Sequence, residues 1–559
     1  MKRYSLHVTA LALTMALLCA MIPHPAAAES ALDVSTLYKD KDVDADWSAS
    51  EASVIDLNAL EEDTLILTEK GDYVLSGDWN GQIVIEADAE EKVRLILNGV
   101  SITSPQGPAI YEKQADKLII TLAEGTENTL TDGAAVTDGD DTIGAALYAE
   151  DDLSINGSGG LMIQGTQKHG IQSKADLIVA GGEIQVNAVL DGLRGRNSVL
   201  VLDGNLMMTC GGDGIVSTRA DAEGKGWIVL AGGSVTIKTG DGAGAVRTSA
   251  NAMGGFGGRG RWDDWGDTQN GSDSEVSQKA VKAATDLTVL DGTYCFDCAD
   301  DGLHGVNVTV QGGNFEIQSG DDGMHADEEM TVNGGSISIS QCYEGLEGKN
   351  VTVNGGEIRI VASDDGINAS GGNDGSGFGG WGRGGGYAAS GEGGMLTITG
   401  GQTAVTAGGD GLDSNGSIAL TGGVVGIWTE SEMHEGPIDF NGTGTLSGVN
   451  LIIASTGGMM QDMMGLSGQS IMSLSTTGTV QAGGKISLLD ENGNVLATFA
   501  PENEFNTVTV SSGSLPEGAG CQVLRDGTEI YSGEMSNNLT ASGNDGADRG
   551  FGRQNRKGR

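Results

Sequence analysis

Carboxylates recur in the middle of this chain at a fixed interval. Asp300-Asp301-Gly302, Asp321-Asp322-Gly323 and Asp364-Asp365-Gly366 are copies of one tripeptide, and Tyr343-Glu344-Gly345 stands between the last two. Their glycines lie 21, 22 and 21 residues apart. Aligned on the glycine, Asp301, Asp322, Glu344, Asp365 and the later Asp410 form one column, and Asp300, Asp321 and Asp364 belong to a second. Two places after the glycine stand His304, His325, Glu347, Asn368 and Asp413, with Leu303, Met324, Leu346, Ile367 and Leu412 in between. In a strand this alternation sends the apolar residues inward and the polar ones outward.

Carboxylates stacked about 4.8 Å apart repel by about 1 kcal/mol per pair even in water. Divalent cations shared between repeats relieve that repulsion. Ca²⁺ suits the site best, because it accepts six to eight oxygens and binds extracellular sites at about 10⁻⁴–10⁻³ M. The expected calcium ligands are Asp300, Asp301, Asp321, Asp322, Glu344, Asp364, Asp365 and Asp410. Turn chemistry is the competing explanation, since Asp and Gly both tolerate left-handed backbone. It accounts for one Asp per repeat, but not for the doubled Asp or for Glu344. His304 and His325 are adjacent in the outer column, where they suit either a ligand such as a transition metal or plain solvent exposure.

Catalysis finds less support. No Ser-His-Asp or metal-hydrolase spacing is present. Polysaccharide lyases pair acidic calcium sites with a basic proton abstractor, and glycosidases use two carboxylates. The doubled-Asp repeats place His, Glu and Asn in the next outer column, with no Arg or Lys. Arg194, Arg196, Arg219 and Arg247 belong to earlier repeats. The expectation is a protein that is not an enzyme. Aromatics on two Gly-rich segments, 250–278 and 371–393, offer flat faces to sugar rings or pack against each other. They are Trp262, Trp265, Trp381 and Tyr387, with Phe256 and Phe378.

The elements that position these columns follow from a second marker, Gly-Gly at 312–313, 334–335 and 355–356. Two markers in phase mean one short unit repeated, which buries its apolar face only by stacking. Between markers, runs such as Ser336-Ile-Ser-Ile-Ser340 alternate as strands do. No helical period is visible. A propeller blade needs roughly 40–45 residues, and a leucine-rich repeat has a different signature. The expected fold is all-β, a right-handed parallel β-helix of 21–22 residues per coil with a small C-terminal β domain or cap. The expected boundaries are a signal peptide at 1–28, the solenoid at 29–440, the C-terminal β domain at 441–540 and a disordered basic tail at 541–559.

Composition narrows the partners. The net charge of −46 becomes −48 once a signal peptide carrying Lys2 and Arg3 is removed. Such a charge argues against nucleic acid. No later apolar run reaches the roughly 20 residues of a membrane span. A secreted, extracellular monomer is expected, without a membrane span. After the signal peptide five cysteines remain, an odd number that does not make a disulfide framework. Buried small apolar side chains are the expected role, Cys295 and Cys298 included.

Three N-terminal stretches carry a resemblance. Gly71-Asp-Tyr-Val-Leu-Ser-Gly77, Leu97-Asn-Gly-Val-Ser-Ile-Thr103 with Pro108-Ala-Ile110, and Leu122-Ala-Glu-Gly-Thr-Glu-Asn-Thr-Leu-Thr-Asp-Gly133 look like the secreted clostridial carbohydrate-binding domain family. The resemblance covers nearly all of the chain beyond the signal peptide. It implies a parallel β-helix, calcium along the acidic face, and non-catalytic binding of plant-wall polysaccharide such as polygalacturonate or cellulose. Calcium ligation would carry over at Asp300/Asp301, Asp321/Asp322 and Asp364/Asp365. Glu344 after Tyr343, and Asp410 after Gly409, depart from the doubled Asp. The alternatives are a pectate-lyase-like enzyme and a structural surface adhesin.

Overall fold

The structure is a computed structural model that describes residues 32–138, 141–244, 276–369, 393–429, 436–456 and 462–537. Its described elements belong to the unit Val34–Arg559. The chain is all-β. Among the described residues the only α-helix is the four-residue Asp40–Val43, and no helix is long and apolar enough to cross a membrane.

Each repeat contributes to three ladders of strands, and almost every pairing joins one repeat in parallel to the next. In the first ladder Leu193, Ile215, Val281, Leu303, Met324, Leu346, Ile367 and Leu412 are successive register partners. The second ladder stacks Val308, Met330, Val351, Leu396 and Ile418. The third stacks Phe296, Ile317, Ile339, Ile360, Val405 and Ile427. These side chains are at most 1% exposed and belong to one continuous core. Each contributes about 1.5–3 kcal/mol by leaving water, which no single repeat achieves alone.

The two glycine markers have different causes. Gly313, Gly335 and Gly356 sit at φ of +99°, +98° and +95°, the left-handed turn that glycine alone enters freely. The glycines after the carboxylates do not share that backbone. A Cβ on Gly323 would lie 2.5 Å from Ile339 Cδ1 and 2.6 Å from the Gly345 carbonyl oxygen. Space between repeats, rather than a left-handed turn, therefore selects glycine after Asp. The turn explanation for Asp-Gly fails at this position.

Parallel pairing continues past residue 440 through Gly444–Leu446 and Asn450–Ser455. Phe505–Ser512 then pairs antiparallel with both Asn450–Ser455 and Ile471–Val480. Ile486–Asp490, Val495–Phe499, Gly520–Arg525 and Thr528–Glu534 make a separate antiparallel sheet. Its Phe499 ring lies where a side chain at Gly426 would stand, which fixes that contact to the third ladder. Cys210, Cys298, Cys342 and Cys521 are buried free thiols, whereas Cys295 is exposed, contrary to expectation. Strand alternation explains the difference, since Cys295 and Cys298 point to opposite faces.

One buried acid makes the fold pH-sensitive. Glu112 in Ile110–Gln114 is fully buried. Its Oε2 accepts from the Asp151 N–H at 3.0 Å, and its Oε1 has no partner among the described residues. Burial raises its pKa from 4.5 to about 7. The folded state therefore holds a proton that the unfolded state releases, so stability falls as pH rises from 4.5 to about 7. The loss should approach about 3 kcal/mol. Urea midpoints at pH 5 and pH 8 should differ less in Glu112→Gln than in the parent; an unchanged difference would contradict this assignment.

Candidate functional site

Backbone bonds between repeats align the residues that precede each glycine. The N–H groups of Gly302, Gly323, Gly345 and Gly366 donate to the carbonyls of Asp322, Glu344, Asp365 and Asp410 at 2.8–3.1 Å. The same line extends backwards through Asp191, Asp213 and Lys279, which feed into Asp301. The predicted column of Asp301, Asp322, Glu344, Asp365 and Asp410 thus exists. Four of these five are no more than 7% exposed, so the column is far less solvated than a turn surface.

One carboxylate oxygen in several repeats is a structural acceptor. Asp191 Oδ1 takes the Asp213 N–H at 3.1 Å, Asp301 Oδ1 takes the Asp322 N–H at 3.2 Å, and Asp365 Oδ1 takes the Asp410 N–H at 2.7 Å. In Asp191 and Asp301 the second oxygen turns toward the neighbouring column three residues on, to Arg194 and His304. There the occupants in register run Arg194, Val216, Lys282, His304, His325, Glu347, Asn368 and Asp413. The column changes sign along its length.

Its first part has protein cations beside it, Lys279 and His325, although burial and the neighbouring Asp301, Glu347 and Asp321 still raise the Asp322 pKa well above ordinary. The ammonium of buried Lys279 lies 2.5 Å from Asp301 Oδ2 and 3.0 Å from Asp300 Oδ1. Burial opposes both charges, but Asp301 and Asp300 hold the Lys279 pKa above its ordinary value. Burial likewise opposes ionisation of Asp301, yet Lys279 and His304 keep its carboxyl well below the usual range. His304 Nδ1 is 2.9 Å from Asp301 Oδ2. His325 Nδ1 is 3.0 Å from Asp322 Oδ2 and 2.6 Å from Glu347 Oε2. The two rings stack at 4.8 Å. Burial lowers the pKa of His304, whereas the carboxylates Asp322, Asp327 and Glu347 outweigh burial and raise that of His325.

This arrangement corrects two expectations. Lys279 takes the aspartate's own place one repeat before Asp301, and Lys282 is the register partner of His304, so basic side chains do stand beside the doubled aspartates. The histidines are mostly buried and face carboxylates at 2.9–3.0 Å rather than solvent. Counting back 22 residues from Asp301 reaches Lys279, but the Gly-rich segment just before it breaks the visible rhythm.

From Glu344 onward no position of either column is basic. Burial first, then repulsion from Asp322, Glu347 and Asp365, raises the Glu344 pKa well above ordinary. Burial, with Asp410, Asp413 and Asp364, does the same to Asp365. Glu344 Oε2 accepts from Asn368 Nδ2 at 2.9 Å, while buried Asn368 Oδ1 has no partner among the described residues. Asp410, Asp413 and Asp439 bring three carboxylate oxygens within 4.8 Å of one another.

A calcium ion fits these two parts differently. Beside Asp300 and Asp301 the Lys279 ammonium already stands where a cation would, so those residues do not fit the ion. Asp322 with His325 and Glu347 forms a mixed nitrogen–oxygen set, which calcium does not prefer. The later repeats offer oxygen alone, carboxylates disfavoured as anions and one orphaned amide oxygen, and there the residues fit. Asp321 groups with Asp300 and Asp301, and Asp364 stands close enough to Tyr343 to help burial raise that phenol's pKa. Trp262, Trp265, Trp381, Tyr387, Phe256 and Phe378 lie outside the described residues.

Comparison with known proteins decides the family. The model of the carbohydrate-binding domain-containing protein family matches residues 61–323 and 323–500. The chain belongs to that family. A carbohydrate-binding domain-containing protein of Acetivibrio thermocellus is 36% identical over 141 residues, covering 24% of this chain. The match spans about half of that relative's length, 49%. A solved structure described as a polysaccharide lyase-like protein from C. thermocellum, a gadolinium derivative, shares 26% identity. It covers 48% of this chain and 93% of its own, with a TM-score of 0.35, too low to transfer any site. Membership in the family supports a carbohydrate-binding role.

Proposed function

We propose that this is a secreted, non-catalytic polysaccharide-binding protein, a right-handed parallel β-helix whose later repeats take up Ca²⁺ and thereby hold an acidic plant-wall glycan such as polygalacturonate. The carrying observation is the change of sign along the two columns. Lys279 and His325 stand as protein cations beside the columns in the earlier repeats, whereas from Glu344 onward the column positions hold no basic side chain. When bound, calcium would supply a positive bridge between these carboxylates and those of a uronate polymer. Glu344, Asp365, Asp410, Asp413 and the amide oxygen of Asn368 would hold it. Without a cation, a chain of net charge −46 repels a polyanion.

Family membership supports the carbohydrate part of this reading. Lys279 supports the non-catalytic part, because an ammonium locked between two carboxylates, with a raised pKa, is a poor proton abstractor. The test is a pull-down on polygalacturonate in calcium and in chelator, with ultraviolet absorbance read afterwards. Retention in calcium alone, with no new absorbance, is expected. Equal retention in chelator would sink the bridging idea, and rising absorbance would show a lyase.

A further inference from the structure

Histidine faces aspartate at three places along the columns, and at one of them the basic companion is missing. His169 Nδ1 lies 3.1 Å from Asp191 Oδ2, and the same oxygen takes Arg194 at 2.7 Å. His304 Nδ1 lies 2.9 Å from Asp301 Oδ2, and the same oxygen takes the Lys279 ammonium at 2.5 Å. His325 Nδ1 lies 3.0 Å from Asp322 Oδ2, but its other neighbour is a second carboxylate, Glu347 Oε2 at 2.6 Å. Among the described residues no lysine or arginine pairs with Asp322.

Two carboxylate oxygens thus converge on one ring nitrogen, where the earlier pairs bring one carboxylate and one protein cation. The three atoms all lie within 4.8 Å of one another. Asp322 and Glu347 are 6% and 4% exposed, so water does little to separate their charges. Asp322 and His325 belong to one repeat, and Glu347 is the register partner of His325 on the next. Backbone pairing therefore holds the set in place.

The far side of the ring is arranged as well. Asp327 Oδ1 lies 3.5 Å from His325 Nε2. A carboxylate there favours keeping a ring proton on Nε2, which leaves the Nδ1 lone pair for an ion. Histidines that bind metals are oriented in this way by a carboxylate on their other nitrogen. What separates the set from the later acidic repeats is that nitrogen, a donor that calcium does not prefer.

We propose that Asp322, His325 and Glu347 form a site for a late first-row divalent cation such as Zn²⁺, distinct from the oxygen-only repeats beyond Glu344. One neutral imidazole and two carboxylates suit zinc, with a remaining position for water. Bonds of about 2.0–2.2 Å put adjacent ligand atoms about 3 Å apart, so the set needs only small adjustment to close on an ion. The ion takes the place of a proton on Nδ1, which leaves to solvent as the metal binds. It joins two successive repeats at a step where two buried carboxylates meet. His304 is not a ligand, because the two rings stack at 15° and 4.8 Å and their nitrogens point along nearly parallel lines. This site depends neither on carbohydrate binding nor on calcium.

The test is calorimetric titration of the intact, untagged protein with Zn²⁺ in about 10 mM Ca²⁺, which fills sites of about 10⁻⁴–10⁻³ M affinity. Wild type should take up zinc with calcium present. His325→Gln and Glu347→Gln should each lose that uptake, and Asp327→Asn should weaken it about 10–100-fold. His304→Gln keeps all three ligands and should still bind. With Cu²⁺ as the probe, electron paramagnetic resonance should show coupling to one imidazole nitrogen in wild type and in His304→Gln, but none in His325→Gln. Circular dichroism checks that the variants are folded. Wild type also tests the site by itself, since no zinc uptake in calcium, or copper without nitrogen coupling, overturns the proposal. Coupling that survives in His325→Gln, or uptake lost equally in His304→Gln, overturns it too.

Discussion

Replacing Lys279 with Met should destabilise the protein more than any other single change at the site. The ammonium is buried and touches two carboxylates, Asp301 at 2.5 Å and Asp300 at 3.0 Å. Removing one partner of a buried pair leaves the other charge without solvent or counter-ion, at a cost of about 3–5 kcal/mol. Most of that cost should return in the double variant Lys279→Met with Asp301→Asn. The amide keeps an oxygen for the Asp322 N–H that Asp301 Oδ1 now accepts, so only the charge is removed. Urea denaturation of the single and double variants measures both effects. If the double variant is no more stable than the single one, Lys279 acts by packing rather than by charge.

The second large effect concerns the acidic repeats and has a definite sign. Glu344 and Asp365 have pKa values raised first by burial, then by neighbouring carboxylates, Asp322, Glu347 and Asp365 for Glu344 and Asp410, Asp413 and Asp364 for Asp365. In the folded state they hold protons over a range where the unfolded chain has released them. Stability in chelator should therefore rise as pH falls from neutrality toward the ordinary carboxylate range, the reverse of acid denaturation driven by paired carboxylates. Calcium should replace the protons. At 10 mM, an extracellular site of about 10⁻⁴–10⁻³ M affinity adds about 1.4–2.7 kcal/mol. Asp365→Asn retains the acceptor for the Asp410 N–H, and Glu344→Gln retains the acceptor for Asn368. Both variants should be more stable than wild type in chelator and less responsive to calcium. Melting temperatures at pH 5.5 and 7.5, with and without the ion, give the comparison. A wild type that loses stability on mild acidification in chelator would refute the account.

How much of this was legible in the sequence varies residue by residue. Asp301, Asp322, Glu344, Asp365 and Asp410 could be aligned by counting, and inter-repeat backbone bonds place them in that order. Leu303, Met324, Leu346 and Ile367 were readable as interior residues because strand alternation is local. Lys279 was not readable, because the segment before it interrupts the spacing. The role of the glycine after the carboxylates was hidden for a related reason. Both glycine markers look like turn glycines in one dimension, but Gly323 is needed only because Gly345 and Ile339 press on it from the next repeat.

The sequence by itself determined the repeat length, the strand character and the two acidic columns. These follow from interval and alternation, which act over a few residues at a time. Only the tertiary structure decided which carboxylates already have a protein cation and which are buried without one. Those properties depend on distances between residues about 22 or more positions apart, and Coulomb energy and desolvation act through space rather than along the chain. The repeated acidic tripeptide therefore means two things. At Asp301 it is half of an internal ion pair, and from Glu344 on it is a column of carboxylates with no basic side chain in register.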